Sequence, residues 1–114
     1  DVQVAVNKPL FAWVVENLCK NAVDAMEGRG DIKFEMAGIG NEWIQFDVTD
    51  NGKGIPPSKH KTIFKPGYTT KKRGWGLGLS LVKRIVENYH RGKIYVKSSE
   101  LGKGTSFRIE LKQV

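Results

Sequence analysis

Cysteine, histidine and long apolar runs are scarce in this 114-residue sequence. Its one cysteine, Cys19, cannot form an internal disulfide, and no Cys/His cluster offers a zinc site, so a reducing compartment is favoured. The apolar runs are far shorter than the ~20 residues that span a bilayer. The chain also begins with Asp1 instead of a signal peptide. We therefore expect a cytoplasmic domain that is a fragment of a longer protein.

Acidic residues are also in the minority, since 19 Lys and Arg stand against 12 Asp and Glu, a net charge of +7. That charge suits nucleic acid, an acidic protein or a polyphosphate ligand. We expect no nucleic-acid partner, because no face of the sequence interleaves basic and aromatic residues. Many of the cations fall in the glycine-bounded segment 59–73, outside any regular element. This segment is either a solvated loop or a loop that contacts phosphates.

Apolar spacing predicts two long helices and four strands within one domain. Asn7 caps a first helix that runs to about Met26, and a second helix runs from Leu77 to near Gly92. Alternation predicts strands near residues 32–36, 43–50, 94–96 and 107–111. These elements favour one mixed or antiparallel sheet with helices packed on one face, a two-layer sandwich whose other face stays exposed to solvent.

Two apolar patterns describe one strand and one helix. In the first strand Ile32, Phe34 and Met36 alternate with charged residues, which predicts a half-buried strand. In the second helix, the residues at helical spacing are Leu77, Leu81, Val82, Ile85, Val86 and Tyr89. This spacing describes a helix, and we expect the helices to pack on one face of the sheet.

A polar ridge lies along the first helix. Asn17, Asn21 and Asp24 are spaced by four and three residues, so they share one flank beside the apolar stripe centred on Leu18. Oxygen ligands on one face suit a magnesium ion that retains waters and shares a nucleotide's phosphates. A solvated or capping amide is the ordinary alternative for each asparagine. Glu16 lies about 100° from Asn17 around the helix, so we expect it on the solvated face.

Asp50 ends its strand with the same parity as Ile44 and Val48, which directs a carboxylate toward the interior, where it needs partners. Gly52 and Gly54 follow, and glycines allow backbone to approach a flat ligand closely. A carboxylate acceptor there can bond an exocyclic amine. A plain Asn-Gly turn is the alternative.

Thr105 follows Gly102 and Gly104 and shares its parity with Phe107, so its hydroxyl is predicted to face the same cavity as Asp50. A threonine that starts a strand and contacts no ligand is the ordinary alternative.

Glycines also open the second helix, at Gly74, Gly76 and Gly78. Unpaired amides and the helix dipole favour a phosphate there. Spaced glycines alone are weak evidence, and this is not the dinucleotide fingerprint because a cationic loop, not a strand, precedes them. The segment 51–76 is long for a simple connection, which is typical of a functional or disordered loop. We expect residues 65–75 to move when no nucleotide is bound.

Taken in order, these segments resemble the motif set of the histidine kinase and related ATPase superfamily, over nearly the whole chain. ENLCKNAVDAM is similar to the asparagine box, DNGKGI to the first glycine box, and IFKPGYTTK to the phenylalanine box with a nitrogen-sensor-like lid. GWGLGL and GKGT are similar to the second and third glycine boxes. The resemblance implies a Bergerat-type fold, with a mixed sheet of about five strands and about three helices on one face, and ATP and Mg²⁺ as ligands.

The resemblance also implies residue roles. Asn21 would coordinate magnesium and Asn17 would assist at the phosphates, which makes both catalytic and metal-binding. Asp50 would accept a hydrogen bond from the adenine amine, and Thr105 would contact the adenine directly or through water. The implied nucleotide site comprises Asn17, Asn21, Asp50, Gly52, Gly54, Ile55, Phe64, Tyr68, Lys71, Lys72, Gly74, Gly76, Leu77, Gly78, Leu79 and Thr105. Phe64 fits a hydrophobic latch under the lid better than a nucleotide contact.

The sequence departs from the superfamily pattern in ways that bear on the reaction. Hydrolysing members resemble one another in a general-base Glu four residues before the magnesium asparagine, where this chain has Asn17. A carboxamide cannot take a proton from water, so phosphate transfer to a partner is favoured over hydrolysis. Trp75 is bulkier than the small residues usual at its position, which bears on how closely the lid can pack on the phosphates. His60 and His90 lack the acidic neighbour of a phosphoacceptor histidine, and we expect both to be surface residues.

By resemblance, the expected activity is that of a protein-histidine kinase domain. Its partners would be the dimerisation and histidine-acceptor domain of the same kinase and, through the full-length protein, a response regulator. Full-length relatives of this kind are often membrane-anchored homodimers, whereas we expect the fragment to be monomeric. Two alternatives stay open at this point: an ATPase that hydrolyses ATP to drive a conformational cycle, and a binding module gated by nucleotide.

Overall fold

The computed structural model describes residues 5–66 and 78–113. Helix α1 spans Lys8–Ala25, and the shorter α2 spans Gly78–Arg84 and continues as a π-helical stretch, Ile85–Tyr89. The strands are β1 (Ile32–Ile39), β2 (Trp43–Asp50), β3 (Lys93–Glu100) and β4 (Gly104–Lys112). Two single 3₁₀ turns, Pro57–Lys59 and Thr62–Phe64, follow β2. Across these two ranges, no helix is both long and apolar enough to cross a membrane.

The four strands form one sheet in the order β1-β2-β4-β3. Two hairpins, β1–β2 and β3–β4, meet where β2 pairs with β4, and each neighbouring pair is antiparallel. The α/β fold class is confirmed, but in the described part of the chain the sheet has four antiparallel strands instead of about five mixed ones. The reason is that each hairpin supplies an antiparallel pair, and the crossover from β2 to β3 brings β4 beside β2 in the opposite direction.

The helices cover one face of the sheet, as predicted for a two-layer sandwich. Helix α1 begins where the Asn7 side chain accepts the Leu10 N–H at 3.0 Å, and it ends before Glu27 and Gly28, which both have positive φ. The core between the two layers consists of Val14, Leu18, Ile44, Val48, Ile63, Phe64, Val82, Ile85, Val86, Ile94, Phe107, Ile109 and Leu111. Burial of this shared apolar face stabilises the sandwich.

Strand β1 is far more exposed than its alternating pattern predicts. Phe34 and Met36 are 49% and 65% exposed, although they point to the helical side of the sheet. The prediction of a half-buried strand was wrong for these two residues because β1 is an edge strand and α1 packs over β2. Phe34 is partly covered by the ring of Phe46, which stacks on it with the centroids 6.0 Å apart.

The second helical unit departs from the predicted stripe at Leu81 and Tyr89, which are 36% and 62% exposed. Both line an apolar groove of about 560 Å³ that also contacts Trp13 of α1. In a π-helix each turn holds an extra residue, so the apolar stripe drifts out of phase with the core. The exposure of Tyr89 follows from this drift.

His90 closes this helical unit and is half-buried, contrary to the prediction of a surface residue. Its Nε2 accepts the Asn7 N–H at 3.0 Å, and its Nδ1 lies 3.0 Å from the Ile85 carbonyl oxygen. One imidazole serves both contacts when Nδ1 carries the proton. The start of α1 and the end of the α2 unit are therefore joined through this ring.

The open face of the sheet carries a buried ion pair. Asp47 is only 4% exposed, and its two carboxylate oxygens accept hydrogen bonds from Arg108 Nε at 2.8 Å and Nη2 at 2.9 Å. Lys97 approaches the same carboxylate at 3.5 Å. These bonds hold the pKa of Asp47 below its usual value, with the Arg108 hydrogen bond as the main cause. The face of the sheet opposite the helices, which was predicted to be solvent-exposed, is therefore partly covered by charged side chains.

Candidate functional site

Asp50 points into the helical side of the sheet, as its parity predicts, and it is 7% exposed. Its Oδ1 accepts the Gly52 N–H at 2.8 Å, which closes a tight turn after β2. Burial raises the pKa of Asp50, while the backbone amides of Gly52 and Thr105 act in the opposite direction. Within residues 5–66 and 78–113, no Lys or Arg forms a salt bridge with it. Asp50 is thus an almost buried acid supported by backbone amides.

Thr105 stands directly opposite Asp50 where β4 pairs with β2, and it is 4% exposed. Residues directly opposite in an antiparallel pair share one face of the sheet. The structure therefore brings together the two residues predicted to meet the base. A hydroxyl beside a carboxylate provides a donor next to an acceptor.

The loop 51–55 passes between the end of α1 and the turn that joins β3 to β4. The Lys53 N–H donates to the Ala25 carbonyl at 3.0 Å, and the Lys53 carbonyl accepts the Gly102 N–H at 2.8 Å. The Ile55 N–H donates to Ser99 Oγ at 2.7 Å. On its other side, the Ile55 carbonyl oxygen lies 2.9 Å from His60 Nε2, so His60 is bonded within this region and not a free surface residue. Backbone hydrogen bonds thus fix this loop on both sides.

Two positions of the same loop, Gly52 and Gly54, require glycine for a structural reason that the sequence did not reveal. A Cβ at Gly52 would lie 2.7 Å from the Ala25 carbonyl, and one at Gly54 would overlap the Glu100 carbonyl oxygen. Gly54 also has φ +80°, which other residues rarely adopt. Both glycines are therefore required by close contact with neighbouring backbone, whether or not a ligand also approaches them.

The polar ridge of α1 faces the start of α2. Asn17 Nδ2 donates to the Trp13 carbonyl at 2.8 Å, which fixes the orientation of the amide. Its Oδ1 is then the atom directed toward Gly78, since a Cβ built there would lie 3.8 Å away. Asn21, one turn further, is half-buried, whereas Glu16 is exposed as predicted. The structure thus brings Asn17 and Gly78 together, as the phosphate-end prediction requires.

The donor set at this end is suited to magnesium shared with a ligand. Asn17 Oδ1 is an uncharged oxygen of the kind that Mg²⁺ accepts. Across the described ranges, no group of three or more His, Cys, Asp or Glu could hold a metal ion. The amide oxygen of Asn17 would thus suit one position on a magnesium ion.

Phe64 lies in the core and is 7% exposed. Its ring meets that of Phe107 edge-on at a centroid distance of 6.1 Å, and Lys83 Nζ lies 5.5 Å from its centroid. This position suits an anchor for the segment that follows better than a direct nucleotide contact. Leu79 is half-buried and packs against the same core.

Several predicted site residues fall in 67–77, outside the described residues. They are Tyr68, Lys71, Lys72, Gly74, Gly76 and Leu77, with Arg73 and Trp75 beside them. The expected motion of segment 65–75 also falls largely outside the described residues. The assignments on these positions stay predictions.

Ser99 was missed by sequence reasoning although it touches two site residues. Its Oγ lies 2.7 Å from Thr105 Oγ1 and 2.7 Å from the Ile55 N. Alternation from Ile94 and Val96 predicts the opposite face for it, but β3 has a register shift between Val96 and Ser98. A β-bulge reverses the alternation beyond it, and the sequence carries no distinct signal for this bulge.

The sequence and the fold of this chain both match known proteins. Residues 7–114 match the family described as histidine kinase-, DNA gyrase B- and HSP90-like ATPase. The sensor histidine kinase ZraS of Salmonella typhimurium is 46% identical over 98 residues, which cover 86% of this chain and 21% of that protein. The chain thus spans about a fifth of the length of this relative.

Solved structures give the same result. The nucleotide-free catalytic domain of histidine kinase ThkA superposes with a TM-score of 0.83 at 31% identity, covering 96% of this chain and 71% of that one. ThkA in complex with the response regulator protein TrrA superposes with a TM-score of 0.72 at 32% identity, covering 89% and 28%. The chain therefore belongs to the histidine kinase-, DNA gyrase B- and HSP90-like ATPase family, as an ATP-binding catalytic domain of the histidine kinase type.

Proposed function

We propose that this chain is a single domain that binds MgATP and transfers the γ-phosphate to a histidine on a separate dimerisation domain. The observation that carries the proposal is the pairing of Asp50 with Thr105 on the helical side of the sheet, together with the approach of Asn17 to Gly78 at the start of α2. The first pair suits a base that presents an amine beside a ring nitrogen. The second pair suits phosphates with their magnesium ion, because the N–H groups at the start of a helix can donate to phosphate and the Asn17 amide oxygen beside them is a ligand type for the metal.

Magnesium, when bound, would supply positive charge that neutralises the phosphates. Asn21 and Asn17 are the residues we assign to it, Asn21 as a direct ligand and Asn17 as its neighbour toward the phosphates. Lys71, Lys72 or Arg73 is assigned to the γ-phosphate. In this scheme the protein binds, orients and neutralises, and it forms no covalent bond with the phosphate.

Transfer is favoured over hydrolysis because of the residue types on α1. Asn17 stands where a hydrolytic base would be, and an amide cannot take a proton from water. The nearest acid along the helix, Glu16, is exposed on the solvated face. We therefore assign the phosphate acceptor to another domain.

The proposed partners follow from the need for a separate phosphate acceptor. We propose that the chain works in the cytoplasm, beside an acceptor domain of the same kinase in a full-length homodimer. The phosphate would pass from there to a response regulator. The complex of ThkA with TrrA supports a regulator as partner for a kinase of this fold. The extent of α1 and of the sheet supports treating the whole chain as one ATP-binding domain.

The direct test uses γ-labelled ATP and magnesium, with and without the acceptor domain of the same kinase. Alone, the chain should bind MgATP without labelling itself or hydrolysing nucleotide above background. With the acceptor domain, label should appear on its histidine as phosphate that is labile in acid and stable in base. Robust hydrolysis without a partner, lost in Glu16→Gln but retained in Asn17→Ala, would instead support an ATPase with Glu16 as base.

A second test isolates the metal. Asn21→Ala should lose about tenfold or more in ATP affinity when magnesium is present. In chelator, the same variant should bind ATP nearly as the wild type does. Asn88→Ala is the matched control, because Asn88 is an exposed asparagine in the π-helical stretch that lines the apolar groove and is not one of the predicted site residues. An equal loss with magnesium and with chelator would remove Asn21 from the metal site.

A further inference from the structure

Strand β1 forms one edge of the sheet, since the strand order among the described residues is β1-β2-β4-β3. Every residue of β1 after Ile32 is exposed. Its register with β2 runs without a shift from Ile32 to Ile39, whereas β3, at the other edge, has a shift between Val96 and Ser98. A bulge blunts an edge, while a long regular edge strand offers unpaired N–H and C=O groups to another strand. Of the two edges, β1 is therefore the one at which a further strand can add.

The helical side of β1 has apolar surface that such a strand would cover. Phe34 and Met36 are exposed there, because α1 packs over β2 and not over β1. Side chains that stand directly opposite on one face of an antiparallel pair have Cβ atoms about 4.5 to 5.5 Å apart. A strand added beside β1 would therefore bring its own side chains against Phe34 and Met36, and burial of this apolar surface would favour the addition.

The open side of β1 carries charges of both signs in a self-complementary order. Lys33 and Glu35 are two residues apart on this side, with side chains 71% and 57% exposed, and their charged atoms lie 3.8 Å apart. Suppose that two copies of β1 pair antiparallel about a twofold axis through Phe34. Residues equally distant from Phe34 on either side then stand opposite each other. Lys33 of each copy faces Glu35 of the other, and on the helical side Ile32 of each copy faces Met36 of the other.

The charges also select this register over its neighbours. A shift by a single residue would place the apolar side of one copy beside the charged side of the other, so only shifts by two residues are alternatives. An axis at Lys33 places the two lysines opposite each other, and it sets Glu35 opposite Asp31. An axis at Glu35 places the two glutamates opposite each other. Like charges directly opposite destabilise a sheet, whereas opposite charges stabilise it. Pairing about Phe34 is therefore favoured over both.

We propose that β1 is a self-association surface, at which a second copy of this chain adds its own β1 antiparallel about a twofold axis at Phe34. The two four-stranded sheets then form one continuous sheet. The contact needs no nucleotide, so it does not rest on the proposed kinase function. It revises the expectation that the chain is monomeric, because the strand order that leaves β1 at an edge is a tertiary property.

The test measures self-association by analytical ultracentrifugation over a concentration series without nucleotide. The wild type should dimerise increasingly as its concentration rises. Lys33→Glu and Glu35→Lys should each weaken the dimer by about tenfold or more, because each change converts both attractive cross-strand pairs into repulsive ones. Lys103→Glu and Glu100→Lys are the matched controls, since they make the same charge changes in an exposed ion pair at the turn between β3 and β4. They should leave the dimer unchanged.

Mixing the two variants separates this pairing from a general effect of charge. A dimer of one Lys33→Glu chain and one Glu35→Lys chain has opposite charges across both pairs. The mixture should therefore dimerise more tightly than either variant alone. The double variant Lys33→Glu/Glu35→Lys should recover the affinity of the wild type, because the reversed charges again face each other.

Three results would overturn the proposal. The first is a wild type that stays monomeric at every concentration. The second is a loss of affinity in the control variants as large as that in the β1 variants, which would mean that net charge governs the association. The third is a mixture that dimerises no more tightly than the single variants. Failure of the wild type to bind MgATP would reject the proposed function and leave this proposal standing.

Discussion

Two nearly buried aspartates lie three residues apart on β2 and face opposite sides of the sheet. The two carboxylate oxygens of Asp47 accept hydrogen bonds from Nε and Nη2 of Arg108, and these bonds lower the pKa of Asp47. Asp50 has backbone amides as partners and burial raises its pKa. The same strand therefore carries one carboxylate stabilised by an opposite charge and one that burial makes costly to ionise.

This difference separates a structural acid from a binding acid. In the part of the chain that the structure describes, no Lys or Arg forms a salt bridge with Asp50, and burying a carboxylate in this way is unfavourable for folding. A raised pKa of a buried acid is often found in residues that bind or react with a ligand. The matched positions of Asp47 and Asp50 allow this interpretation to be tested within one strand.

The largest loss of stability is expected for Asp47→Ala. It leaves the Arg108 guanidinium, whose side chain is 18% exposed, without its main partner. Removing one member of a largely buried ion pair should lower the free energy of unfolding by about 3 kcal/mol. Urea unfolding measures this loss, and the ATP affinity of the folded variant should match the wild type. A large loss of ATP affinity without a loss of stability would reverse the roles of the two acids.

Asp50→Asn should act on binding instead. It replaces one acceptor oxygen with a donor amide that faces the adenine amine. The mismatch should weaken ATP binding by roughly 1 to 3 kcal/mol. Calorimetry on the folded variant checks it, with Asp47→Asn as the matched control on the other face. Unchanged ATP affinity in Asp50→Asn would remove this residue from the site.

The two acids should also give pH dependences of opposite sign. The folded pKa of Asp47 is below the ordinary value, so its contribution is present above that value and is lost as pH falls through the folded pKa. The folded pKa of Asp50 is above the ordinary value, so its contribution is present at low pH and is lost as pH rises through the folded pKa.

Urea unfolding of Asp47→Asn and Asp50→Asn from about pH 3 to 7 measures this difference. Relative to Asp47→Asn, the wild type should lose stability on acidification. Relative to Asp50→Asn, it should lose stability as pH rises above the ordinary Asp value. If both differences in unfolding free energy changed with pH in the same direction, the two acids would differ only in position.

The smallest loss of stability is expected for Lys97→Met. Lys97 approaches Asp47 at 3.5 Å, but its side chain is 43% exposed, so the pair should contribute less than about 1 kcal/mol. Methionine keeps the apolar stem and removes the charge. The difference in unfolding free energy should disappear in about 1 M salt because salt screens exposed pairs. Lys103→Met, which breaks an exposed pair with Glu100, is the control and should have no effect. A loss comparable with that of Asp47→Ala would mean that Lys97, not Arg108, supports Asp47.

Much of the candidate site could be predicted because its residues follow regular periods. Helical spacing located Asn17 beside the core stripe, and strand alternation directed Asp50 and Thr105 inward. These periods hold over α1, β2 and β4, where no residue is inserted. The layer arrangement followed from the same patterns.

The rest could not be predicted because two elements depart from regular periodicity. One contains a π-helical stretch and the other a β-bulge, and each shifts the direction of the side chains beyond it. The π-helical stretch exposes Tyr89, and the bulge at Lys97 turns Ser99 toward Thr105. Neither feature has a distinct sequence signal, so periodicity fails beyond each one. The exposure of Phe34 depends on strand order, which is a tertiary property.

The hydrogen bonds on both sides of Lys53 have a consequence for the entropy of binding. Ordering one backbone residue costs about 1 to 2 kcal/mol. The loop 51–55 is fixed by contacts with Ala25, Gly102 and Ser99, and all of these lie within the domain itself. The cost of ordering the loop is therefore part of folding, and a nucleotide that meets this loop keeps more of its interaction energy as affinity.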